Sequence, residues 1–144
     1  MNQTKFKIIA FTIGGFAVLF AGLFYVLFTD LFLMNSAEWM FGAIITAFGG
    51  GFCALLSESL KNKPALFYVV KGIGVACTIA FIVIMFCYPN GVDVESIVKT
   101  KKMTTASVNS LVGFVEVFCA IFGIIGLLAQ GTNIALNIIY KIDD

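Results

Sequence analysis

"IIAFTIGGFAVLFAGLFYVLF", residues 8–28, carries no charged side chain. As an α-helix it is about 31 Å long, enough to cross the ~30 Å hydrocarbon core of a bilayer. It is too long for the core of a signal peptide, and no A-x-A-like cleavage site follows it. The stretch predicts a transmembrane helix, and the rest of the chain repeats the pattern. Residues 39–56 form a second uncharged run, with Trp39 placed as an interfacial anchor. Residues 66–88 form a third, interrupted only by Lys71. Pro64 suits its start, and Pro89, Asn90 and Gly91 supply turn chemistry after it. Residues 111–129 form a fourth, interrupted only by Glu116 and preceded by Thr104, Thr105, Ser107, Asn109 and Ser110 as N-caps.

The expected fold is therefore all-α: an integral membrane four-helix bundle with short loops, making one transmembrane domain of residues 1–144. A membrane barrel would need many alternating strands of about ten residues. These runs are longer, and neither face alternates. The composition agrees. Of 144 residues 60% are hydrophobic and only 12% charged, about half the charged share of a soluble domain. A small soluble domain cannot cover so much apolar surface. The multi-pass reading does not specify which membrane.

Several function classes lose their chemistry here. The net charge of +1 gives no electrostatic case for nucleic acid. Histidine and arginine are absent, which removes His-based catalysis, His metal ligands and the bidentate phosphate reader. Cys53, Cys77, Cys87 and Cys119 are scattered without a C-x-x-C pair and read as small apolar residues. The "FGGGF" at 48–52 lacks the Gly-Lys-Ser/Thr of a phosphate loop. No cofactor, metal or catalytic residue is implied.

Lysines in short loops set the expected orientation. Lys5, Lys7, Lys61, Lys63 and Lys141 share one side. Lys99, Lys101 and Lys102 fall on the other, where the first loop holds only Asp30 and Glu38. The balance favours both termini in the cytoplasm. In "DVESIVKTKK", residues 93–102, Val94, Ile97 and Val98 share a face, and Glu95 precedes Lys99 by four. That pattern fits a short amphipathic helix at the interface, or a solvated loop. Residues 132–142 read as a separate cytoplasmic or interfacial helix, or as a continuation of the fourth span.

Lipid offers helices no hydrophobic reason to associate, so small residues that let backbones approach become the packing signal. Gly42, Ala43, Thr46, Ala47, Gly50 and Gly51 make such a strip on the second helix. On the fourth, Asn109, Gly113, Glu116, Ala120 and Gly123 follow a 4, 3, 4, 3 spacing that places them on one stripe. Glu116 is thus expected to face protein or water rather than acyl chains, as an intramembrane acid must. Lys71 is the other intramembrane charge. Its depth on an antiparallel neighbour favours snorkelling to the inner headgroups over a pair with Glu116. Glu116, Lys71 and Asn109 are the functional polar candidates. Two functions fit: a non-enzymatic subunit acting through helix packing on a partner membrane protein or on copies of itself, as an accessory, assembly, immunity-type or scaffold protein, or an oligomeric channel or cation-coupled transporter using Glu116.

Overall fold

The computed structural model describes residues 2–31, 37–60, 62–87 and 94–139, with side chains described for 5–28, 41–60, 62–87 and 95–139. It is all-α. α1 is Asn2–Leu31, α2 Ala37–Leu56, α3 Pro64–Cys87, α4 Val94–Lys101 and α5 Thr105–Ile139, with a 3-10 turn at Ser57–Leu60 between α2 and α3. Four helices, all but α4, are long and apolar enough to cross a membrane. The placement of Trp39 as an anchor lies outside the described side chains, as do Lys61, Lys141 and the turn at 88–93.

Each long helix packs on two others, in the cyclic order α1, α2, α3, α5. The contacts run antiparallel around the ring. A Cβ on Gly22 would lie 2.6 Å from Ala47, one on Gly42 3.5 Å from Ile84, and one on Gly123 3.0 Å from Ile82. α1 and α5 meet through Gly14–Gln130 at one end and Ala21–Cys119 further along. This is an up-down-up-down bundle, the arrangement short connections dictate.

Two elements differ from expectation in extent. α5 is one continuous helix through residues 130–139, with no break at Gly131, so the C-terminal segment is part of the bundle rather than a separate helix. Its Gln130, Asn133 and Asn137 are all buried. α4 forms as the amphipathic pattern implies. Ile97 is fully buried, Val98 packs on the core beside it, and Lys99 and Lys101 stay exposed. Lys102 closes it in the left-handed region at φ 55°, the usual way a helix ends.

The core lies between the ring helices and includes Val18, Tyr25, Ala43, Ala47, Phe81, Met85 and Val115. The perimeter is the reverse of a soluble protein's. Phe16, Phe41, Ile45, Phe52, Val69, Phe86, Ile121 and Leu128 are among the large apolar side chains left exposed.

Candidate functional site

The polar groups of the bundle converge on the end that holds the start of α1 and the end of α5. The deepest is a knot around Gln130. Its Nε2 donates to the Gly14 carbonyl of α1 at 3.0 Å and to the Thr78 hydroxyl of α3 at 3.0 Å. Thr78 Oγ1 in turn donates to its own helix at Gly74, 2.8 Å away. Glycines make the space. A Cβ at Gly14 would lie 2.7 Å from Gln130 Cγ, and one at Gly50 would lie 2.6 Å from Thr78 Oγ1. One layer thus draws on all four long helices.

Toward the termini, Asn133 Nδ2 donates to the Lys7 carbonyl at 2.9 Å. Asn137 Nδ2 bonds the Asn133 carbonyl at 2.8 Å. Lys7 is itself buried. Opposite, Lys71 is 2% exposed and pairs with Glu58 at 3.5 Å. Its ammonium stands over the rings of Phe67, 5.4 Å from the centroid, and Phe11, 5.9 Å away, within cation–π range.

These placements revise the reading of Lys71. It does not snorkel, and it is far from Glu116. Phe11 lies between Lys7 and Gly14, which contact Asn133 and Gln130. The ammonium is therefore level with residues 130–133 of α5, about four turns or ~21 Å from Glu116. Glu58 is the nearer acid because the 3-10 turn folds it back over the start of α3.

The strip on α2 is used inside the bundle. Ala43, Ala47, Gly50 and Gly51 are buried, facing α3 and α1, while Gly42 and Thr46 lie at the edge. Thr46 bonds the Gly42 carbonyl of its own helix at 2.7 Å. On α5 the buried seam runs through Val108, Val112, Val115, Cys119, Gly123, Gly126, Gln130, Asn133 and Asn137. The predicted stripe joins it only at Ala120 and Gly123. Glu116 and Gly113 are half-buried and Asn109 is exposed. Glu116 has no hydrogen bond or ion pair among the described residues, and a Cβ at Gly113 would meet nothing within 4 Å.

Sequence reasoning passed over Glu58, Thr78, Gln130, Asn133 and Asn137. The signal for three of them was present: Gln130, Asn133 and Asn137 recur at i, i+3 and i+7, one helical face. Among the described residues no three His, Cys, Asp or Glu gather as a metal site. Comparison with protein-family models, with curated proteins and with solved structures finds no match.

Proposed function

We propose that the chain is a multi-pass membrane protein, with both termini in the cytoplasm, that works without catalysis as a helix-packing subunit for a partner membrane protein. The supporting observation is how the bundle uses its small and polar groups. Gly14, Gly50, Gly51 and Gly126 admit no further side chain without displacing a neighbour. Gln130 and Thr78 satisfy each other across three helices. The interior is thus committed to holding the bundle, and recognition falls to the apolar perimeter and to Glu116. The test is affinity purification from native membranes with intact mass measurement of the complex. A defined complex or oligomer is expected. A lone monomer in mild detergent, with nothing co-purifying, overturns the reading. For orientation, Ser59→Cys should label from the cytoplasmic side and Thr100→Cys from the other, since both positions are exposed.

A second reading, cation or proton coupling through Glu116, draws on that carboxylate's lack of a protein partner among the described residues. Glu116→Gln separates the two. A weakened complex supports the partner reading. An intact complex that has lost flux in liposomes supports transport. An intact and fully active Gln variant removes Glu116 from both.

A further inference from the structure

Gly123 packs on Phe81 and Ile82 of α3. Glu116 lies about two turns along α5 toward α4, whereas α3 ends at Cys87, about one and a half turns beyond Ile82. α5 therefore outruns α3. Along its α3-facing side burial falls from Ala120, buried, to Glu116 and Gly113, half-buried, to Asn109, exposed. Helical side chains lean toward their own N-terminus, over the preceding turn. For Glu116 that turn holds Val112, already buried in the core, and Gly113, beside which there is open space. The carboxylate is thus directed over Gly113. Beyond it Asn109 lines a polar cleft of ≈ 450 Å³ between α4 and α5, together with Glu95, Val98, Lys99 and Thr105. The mouth carries one acid and one base, spaced i, i+4, so it presents no net charge to an entering ion.

We propose that this notch admits water and small monovalent cations from the α4 end to an ionised Glu116, so that the carboxylate is a cation site rather than a packed acid. The inference rests on the membrane-spanning reading above and deepens its coupling arm. A charge at the centre of a lipid-embedded helix costs about 2.5–3.5 kcal/mol on insertion scales. Glu116 has no cation among the described residues to offset that cost. An aqueous notch removes most of it, because the carboxylate keeps part of its hydration. A glycine at 113 is what leaves the notch unfilled.

The test uses the full chain in liposomes, with the four cysteines replaced by alanine and one cysteine returned at 109, 116 or 117. The probe is a membrane-impermeant cationic methanethiosulfonate. Asn109→Cys and Glu116→Cys should both react. Val117 is 54% exposed on the lipid side. Val117→Cys should react about a hundredfold more slowly, the factor that a charge-transfer cost of ~2.5–3.5 kcal/mol represents. Adding Gly113→Leu should bring Glu116→Cys down to the Val117→Cys rate. In the unaltered chain, labelling of Glu116 by a water-soluble carbodiimide should be slowed by potassium or sodium and not by a bulky tetraalkylammonium at equal ionic strength. Glu116→Cys as slow as Val117→Cys while Asn109→Cys stays fast overturns the proposal, as does carbodiimide labelling that small cations leave unchanged. Reaction in liposomes but not in native membranes also overturns it, because a partner chain then fills the notch. Val117→Cys as fast as Asn109→Cys would instead defeat the membrane-spanning reading itself.

Discussion

At the end of the bundle that holds Lys7, Glu58 and Lys71, the helices are joined by an ion pair, a glutamine knot and an asparagine ladder. At the α4 end they are joined by rings. Phe24 stacks on Phe118 with centroids 3.9 Å apart, Phe20 meets Phe122 at 5.2 Å, and Phe28 meets Phe114 at 5.9 Å. Tyr25, Phe81 and Met85 fill the core beneath. The contrast shows how association proceeds where solvent is apolar. Burying a phenylalanine gains little when the alternative is lipid, so the aromatic end is held by shape and dispersion. A buried amide or ion has no good alternative outside the bundle, so the polar end fixes which residue faces which. Polar groups set the register, and rings fill the volume that register leaves.

That division is most exposed at Lys71. Lys71→Met leaves Glu58 with its ammonium gone, while Glu58→Gln leaves Lys71 98% buried opposite a neutral amide. Removing one partner of a buried pair typically loses about 3–5 kcal/mol, whereas replacing both is close to neutral. Reversible unfolding in mixed micelles should show each single variant strongly destabilised and Lys71→Met/Glu58→Gln recovering most of the loss. Single variants that lose nothing would mean the polar end is as adaptable as the aromatic one. Next in size is Gly51→Leu. Its side chain would run into Leu19 and the Gly15 carbonyl of α1, so α1 and α2 must part, at about 1–3 kcal/mol for overpacking. Gly113→Leu and Gly72→Leu, both with free space, are the matched controls and should be tolerated.

The four long helices were legible because charge-free runs of bilayer length have few other readings. The α2 strip was legible too, since glycine in such a run has little purpose besides close approach. The buried face of α5 was not. In an apolar helix every face looks alike, and the 3.6-residue contrast that marks a soluble amphipathic helix is missing. Small residues then mislead. Gly113 looks like a packing glycine, yet α3 has ended before reaching it, and the valines at 108, 112 and 115 take the core. The Lys71–Glu58 pair was hidden for a different reason. It forms across the 3-10 turn, and no helical spacing connects residues on two sides of a turn.

Gln130→Leu tests whether the knot sets register or merely fills space. The substitution keeps the volume and removes two interhelical hydrogen bonds. Such bonds average about 0.6 kcal/mol in a membrane protein, so a loss of about 1–2 kcal/mol is expected. Thr78 keeps its bond to Gly74, so the loss should not exceed that range. A more specific consequence concerns pairing. Disulfide trapping between cysteines introduced at Phe11 and Asn133, next to the Lys7–Asn133 contact, should become less selective over neighbouring positions when Gln130 is gone. Unchanged selectivity would assign register to Asn133 and the ion pair instead.

The smallest effect is expected in the aromatic end. Phe118 touches Phe20, Phe24, Phe114 and Phe122, more rings than any single polar group here has partners. On a soluble protein its truncation would be severe. In lipid the transfer term nearly vanishes, because a phenylalanine freed from α1 enters an environment as apolar as the one it left. What remains is the specific geometry of ring pairs, worth about 0.5–1.5 kcal/mol, part of which leucine recovers through its own dispersion contacts. Phe118→Leu should therefore lose about 0.5–1 kcal/mol, less than Gln130→Leu despite the larger contact. A double-mutant cycle between Phe24 and Phe118 isolates the stacked pair from the rest of the ladder. A coupling well above that range would mean the rings hold α1 on α5 in their own right. The polar end would then be a consequence of the register and not its cause.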